Sequence, residues 1–259
     1  MGEIRKIAVI SANEDTVIVG GMAVAILAEY FSLAASQPCM TKDADFLGGR
    51  SAIEEAEEML VGYQTRKYLA TMDDSASPNS GKLAVDIGDQ VEPVEIDFLF
   101  RIDGLSTDEI EQKAVTIDLD GKAVKVMHPV LLLENKINNL ALYPGKRNDA
   151  GVNQARLAVS IVHAYMERFP RKESQQRPLL QISERIARFA GRDPACFANK
   201  VFKVDALMAI PVGVVVSAEF RESRWSQIIE SVAGKRSKFD RLFERMARTS
   251  DPTKARFRV

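Results

Sequence analysis

Short apolar runs set between polar positions fill the first half of this chain, and three- and four-residue apolar spacing fills the second. In the first half, Arg5–Asn13 reads as a short helix and Thr16–Val19 as a buried, β-branched strand closed by Gly20-Gly21. Met22–Ala35 is rich in Ala and Leu and predicts a helix; Cys39–Leu47 predicts a strand with alternating faces. Ser51–Tyr63 predicts an acidic amphipathic helix, with Ser51 as N-cap and Glu54 at capping-box spacing. Lys82–Ile87 and Val94–Phe100 read as strands, and Leu105–Ala114 as a helix capped by Ser106 or Thr107. Asp118-Leu119-Asp120-Gly121 reads as the tip of a hairpin joining Val115–Leu119 to Lys122–Met127.

After Pro129 the spacing becomes helical: Leu131–Leu142, Asn148–Phe169, Leu179–Ala190, Trp225–Ala233 and Lys235–Arg248. The run Val212–Val216 fits a strand or a buried helix equally, since periodicity does not separate the two. The expected fold is therefore α/β (α+β): a small mixed sheet flanked by helices over 1–128, then a mainly helical region over 129–259.

Charge sharpens that division. The net charge of −1 conceals 11 basic and 23 acidic side chains in residues 1–128, against 24 and 13 in residues 129–259. An acidic half is suited to metal ions and a basic half to a polyanion, although solvated surface charge alone explains the same numbers. The apolar content of 46% across 259 residues is enough for a substantial core. The basic start Arg5-Lys6 has no long apolar run behind it, so no secretory signal is expected. Val17–Ala28, broken by Gly20-Gly21, is too short to span a bilayer. Cys39 and Cys196 lie far apart, and neither His128 nor His163 has a partner at ligand spacing. Neither a disulfide framework nor a zinc site is implied, and a cytoplasmic location is expected.

The candidate chemistry begins at Asp43-Ala44-Asp45, because residues i and i+2 of a strand project to one face. Two convergent carboxylates suit a hard divalent cation such as magnesium. Alone the signal is weak: a chain with 17 aspartates produces such pairs by chance, and Asp118-Leu119-Asp120 is a second. Three neighbours strengthen it. Gly20-Gly21 sits where a strand becomes a helix, where bare backbone N–H groups can approach a phosphate. Thr41 shares a strand face with Asp43. Asp97, inside the apolar strand text Ile96-Asp97-Phe98-Leu99, supplies a third carboxylate, which would complete a two-metal site. The plain alternative for Asp97 is a core ion pair with Arg101 or a lysine. Glu95 shares its face and is a weaker candidate.

Val19-Gly20-Gly21-Met22-Ala23, Thr41-Lys42-Asp43-Ala44-Asp45-Phe46 and Ile96-Asp97-Phe98-Leu99 together resemble the signatures of the DNA polymerase β-like nucleotidyltransferase superfamily. The branch they resemble is the AbiEii type, many of whose members are toxins of toxin–antitoxin pairs. Pro129–Lys136 resembles that family's later lysine-bearing helix, and Lys146-Arg147-Asn148-Asp149 its charged segment. Met22 stands where many relatives carry serine, and Asn148 interrupts a lysine–aspartate pair. The resemblance spans roughly residues 14–165. It implies a nucleotidyl transfer from a nucleoside triphosphate to an acceptor hydroxyl. Asp43, Asp45 and Asp97 would hold Mg2+ (or Mn2+), while Gly20, Gly21, Thr41 and Lys136 would contact the nucleotide. It also implies an antitoxin protein as a partner. A nucleotide-binding module without turnover and a D-x-D glycosyltransferase are the competing functions. The basic C-terminal residues Lys235, Arg236, Lys238, Arg241, Arg245 and Arg248, with Lys254, Arg256 and Arg258, suggest a structured RNA as acceptor. In that reading Leu242, Phe243 and Met246 pin the helix's opposite side to the core.

Overall fold

A computed structural model describes residues 2–33, 41, 43–71, 78–88, 92–169, 173–211, 213 and 221–247. The chain forms two compact units: Met1–Tyr30 with Ala34–Leu132, and Phe31–Leu33 with Leu133–Val259.

The first unit is built on a seven-stranded mixed sheet of order β3-β4-β5-β2-β1-β7-β6. Its strands are β1 (Val17–Val19), β2 (Asp43–Leu47), β3 (Gln64–Leu69), β4 (Asn79–Asp86), β5 (Val94–Leu99), β6 (Val115–Leu119) and β7 (Lys122–Val126). The pairs β2–β5 and β1–β7 are parallel, and the remaining pairs are antiparallel. Helices α1 (Gly2–Ser11), α2 (Gly20–Tyr30), α3 (Arg50–Met59) and α4 (Thr107–Lys113) complete this unit. The fold class is α/β, as the sequence pattern predicts.

Strand periodicity decides what faces where. Ala44, Phe46, Ile96 and Phe98 are fully buried and share one face of the central strands. Phe46 and Phe98 are register partners whose rings stack at 5.4 Å. Helix α3 covers that face, and Ile53 comes so close to Gly81 that a Cβ there would lie 2.7 Å from its Cδ1. The opposite face of the same strands carries Asp43, Asp45, Glu95, Asp97 and Lys82. The β6–β7 hairpin turns through Asp120 (φ 58°) and Gly121 (φ 84°), two successive left-handed residues as a two-residue hairpin loop requires.

The second unit is helical. It contains most of α5 (Pro129–Leu142), with α6 (Asp149–Glu167), α7 (Glu173–Ala190), α8 (Asp193–Phe202) and α9 (Ser226–Ala247). Cys196, Phe197, Phe239 and Phe243 form one of its buried clusters, and the Arg147 guanidinium stacks 4.8 Å above the Phe197 ring. Glu134, nearly buried, receives both forks of Arg185 at 2.6 and 2.8 Å. Loss of Arg185 would leave the buried Glu134 charge uncompensated, at a cost of about 3 kcal/mol. Among the described residues no helix is long and apolar enough to cross a membrane.

Several elements differ from expectation, each for a physical reason. Strand β3 was not foreseen, because Gln64-Thr65-Arg66-Lys67 sits at the sheet edge, is mostly exposed and shows no apolar alternation. Helix α3 starts at Arg50 with Gly49 as N-cap and no side-chain cap, so Ser51 lies inside the helix. Asn148 is the N-cap of α6, its side chain accepting from the Gly151 N–H at 2.9 Å. Its interruption of the charged segment thus has a structural use. The two helices expected after Trp225 are one, α9, because Val232, Phe239 and Phe243 give a continuous buried stripe across Gly234. Leu242 is not part of that stripe. It is 48% exposed, since it lies four residues after Lys238 and shares the basic face. Cys39, most of Val212–Val216, the Met246 side chain, Arg248, Lys254, Arg256 and Arg258 lie outside the described residues.

Candidate metal and nucleotide site

Three half-buried carboxylates meet on the face of the central strands opposite Phe46 and Phe98. One oxygen each from Asp43, Asp45 and Asp97 lies within 4.8 Å of the others. The register explains why. Strands β2 and β5 run parallel with Asp45 opposite Asp97 and Asp43 opposite Glu95, so the D-x-D pair faces the third acid directly. Such a set repels itself unless a cation joins it. Asp97 Oδ1 is buried and, among the described residues, has no donor within hydrogen-bond distance; the nearest cation is the Lys82 ammonium at 3.6 Å. Hard oxygen ligands at this spacing fit a divalent cation of the magnesium type.

Two residues shape the acids. The Thr41 hydroxyl, nearly buried, reaches both Asp43 Oδ1 at 2.8 Å and the Asp43 carbonyl at 2.9 Å. A hydroxyl has one proton, so these contacts share it, and either one fixes the start of β2. Gly20 opens α2 directly after β1, with φ +63°. Val19 is the register partner of Asp45, which places that carboxylate against the hinge. A Cβ at Gly20 would lie 1.8 Å from Asp45 Oδ2. Glycine is therefore needed twice, for the backbone angle and for room. Gly21 follows as a buried residue of α2.

Lys82 was not singled out by the sequence. On β4 it is the register partner of Asp97, and its ammonium lies 2.9 Å from Glu95 Oε2 and 3.6 Å from Asp97 Oδ1. The core-ion-pair alternative for Asp97 is therefore partly realised, with this lysine and not Arg101, which pairs with Asp103. Only the pairing of β4 with β5 reveals the contact, and no local motif carries it. Burial raises the Asp97 pKa above its ordinary value; the Lys82 charge opposes the rise, and repulsion from Asp43 and Glu95 adds to it.

Lys136 belongs to the second unit. It is buried on α5, and its ammonium donates to Gln154 Oε1 on α6 at 2.9 Å. On α9, Lys235, Lys238, Arg241 and Arg245 are exposed on one face. Arg236 points elsewhere and pairs with Asp205 at 3.0 Å. Asp240 and Glu244 pair with Lys200 of α8, on a side of the helix away from those cations.

No family model and no curated protein sequence matches the chain. Among solved structures it is similar to JHP933 from Helicobacter pylori, at 14% identity and a TM-score of 0.41, over 96% of this chain and 94% of that one. It is also similar to the Megavirus polyadenylate synthase, at 13% identity and a TM-score of 0.43, over 80% of this chain and 44% of that one. An antigenic nucleotidyltransferase-like protein from Paracoccidioides brasiliensis matches at 16% identity and a TM-score of 0.39, over 74% and 85%. Likeness this distant assigns no chemistry.

Two outcomes follow from the site's geometry. Gly20→Ala is expected to fold with a loss of roughly 1–2 kcal/mol from the left-handed backbone, and to lose Mn2+ affinity as Asp45 is pushed aside. Urea unfolding and a Mn2+ titration measure the two effects, and wild-type metal affinity in the variant would refute the cradle. The second outcome concerns pH. Because the folded pKa of Asp97 lies above its unfolded value of 3.8, its contribution to stability is full below 3.8 and is lost as pH rises through the folded pKa. Without divalent ions, Asp97→Asn should therefore melt above wild type at neutral pH, and the gap should close on acidification. A gap in Tm that stays constant with pH would count against strain at Asp97.

Proposed function

We propose that this chain is a divalent-cation-dependent nucleotidyltransferase that moves a nucleotidyl group from a nucleoside triphosphate to an acceptor hydroxyl. The observation that carries the reading is the meeting of Asp43, Asp45 and Asp97, one oxygen from each within 4.8 Å of the others, on one face of two parallel strands. When bound, Mg2+ (or Mn2+) would neutralise triphosphate charge and lower the pKa of the acceptor hydroxyl. Asp43 and Asp45 hold the triphosphate-side position, and Asp97, on the neighbouring strand, faces the acceptor. Thr41 orients Asp43, and its contacts make this a better role for it than phosphate binding. Gly20 and Gly21 leave the start of α2 bare, where N–H groups and the helix dipole favour phosphate. A nucleotide role for Lys136 rests on the resemblance of the sequence alone, since its ammonium is buried and donates to Gln154. In the net reaction the acceptor oxygen bonds to the α-phosphorus, the bond to pyrophosphate breaks, and the hydroxyl proton is released to the carboxylate side.

In this reading residues 1–128 are the catalytic core, and 129–259 receive the acceptor. The exposed cations Lys235, Lys238, Arg241 and Arg245 form a face suited to a phosphate backbone, so the proposed acceptor is a structured RNA. Placement in the AbiEii-type branch, with an antitoxin protein as partner, rests on the resemblance of the sequence signatures.

The test is incubation with each labelled nucleoside triphosphate in the presence of cellular RNA and protein. Label should pass to an acceptor with release of pyrophosphate, and Asp43→Asn with Asp45→Asn should reduce transfer by at least about a thousandfold. Release of nucleoside diphosphate would instead indicate a glycosyltransferase, and binding without transfer an inert module. The acceptor is tested separately. RNA affinity should fall steeply with salt, and Arg241→Glu with Arg245→Glu should weaken it while flattening the salt slope by about two. Affinity indifferent to both would exclude this face.

A further inference from the structure

Asp45, Asp97 and Lys82 stand side by side on β2, β5 and β4, so the backbone register itself delivers a lysine to the acid cluster. The Lys82 ammonium is shared unequally: it contacts Glu95 at 2.9 Å and stops 3.6 Å short of Asp97 Oδ1. That oxygen is buried beside a cation that stops short of normal hydrogen-bond distance, and no other described residue donates to it. Glu95 tethers the lysine and holds it off the carboxylate that the proposed metal centre needs. Lys82 is 31% exposed, which leaves its charge only partly screened.

We propose that Lys82 is a positioning residue that stands in for a metal ion. It partly neutralises Asp97 in the ion-free protein and holds down the cluster's affinity for free divalent cations, so the ion is retained chiefly with a triphosphate. This rests on the metal-centre reading above. The physical basis is charge. A unit positive charge next to one ligand repels an incoming dication, and the triphosphate's own negative charge offsets that repulsion once it arrives. Glu95 is the second half of the device, because it decides which carboxylate the lysine neutralises.

The experiment is a Mn2+ titration of the full-length, nucleotide-free protein at fixed ionic strength, followed by the resonance signal of free Mn2+. Wild type is compared with Lys82→Met, Lys82→Arg and Glu95→Gln. Lys82→Met should bind Mn2+ more tightly, on the order of tenfold, since a nearby positive charge is gone. Lys82→Arg, which keeps the charge, should stay close to wild type. Glu95→Gln should bind more weakly, because one negative charge is lost and the released lysine can close on Asp97. A non-hydrolysable triphosphate analogue should tighten Mn2+ binding more in wild type than in Lys82→Met. A lysine that merely braces the sheet would give weaker binding in Lys82→Met, and that outcome overturns the proposal. If Lys82→Met fails to fold by circular dichroism, Glu95→Gln decides, and affinity equal to wild type overturns the proposal. Mn2+ binding identical in all four proteins removes Lys82 alone, whereas no Mn2+ binding in any of them removes the metal centre as well.

Discussion

The register between β2 and β5 is the constraint on which the rest of the site depends. Side chains alternate along a strand, so one offset sets both faces at once. Stacking Phe46 on Phe98 beneath α3 places Asp45 beside Asp97 on the other face. A slip of β2 by one residue would turn Asp43 and Asp45 into the core and expose Phe46. Burying two Phe side chains is worth several kcal/mol in area alone, and ionised carboxylates without partners resist burial more strongly still. Hydrophobic packing thus enforces an electrostatically unfavourable cluster that the acids would not assume by themselves.

Much of this was legible beforehand. The same-face logic of Asp43 and Asp45, the strand-to-helix hinge at Gly20-Gly21 and the hairpin at Asp118–Gly121 are local signals. Each depends on a spacing of two to four residues, which a single sequence displays. What the sequence hides is non-local. Lys82 and Asp97 are separated by a loop and look unrelated until β4 pairs with β5. Edge strand β3 lacks the alternation that reveals a strand, because only one of its sides is paired and neither face is deeply buried. The strand-to-helix glycines suggest a phosphate cradle, and the structure adds that Gly20 makes room for Asp45 Oδ2. Nothing local announces that duty, since it follows from Val19 lying opposite Asp45.

The helical half was legible in a different way. Its long periodic stripes announced helices, yet their ends were misplaced where one residue served two purposes. Gly234 looked like a stop and is simply carried through, because the buried stripe of α9 outweighs the roughly 1 kcal/mol that glycine loses to alanine in a helix. Asn148 looked like a disrupted motif and acts as a cap. Lys238, Arg241 and Arg245 lie exposed on one face of α9, as their three- and four-residue spacing predicts, and Leu242 shares that face.

Charge segregation is the property common to both units, and it is achieved by opposite means. On α9 the acids Asp240 and Glu244 are drawn to one flank by Lys200, which leaves the cations together on the exposed face. On the sheet, Glu95 draws Lys82 partly aside, which leaves the acids together on one face. In each case a counter-charge is kept within reach but off to one side. A fully neutralised cluster would be more stable and would bind nothing, whereas an uncompensated one would strain the fold. An off-centre counter-ion is the intermediate arrangement, in which the fold tolerates the cluster and a ligand of the right charge still gains by joining it.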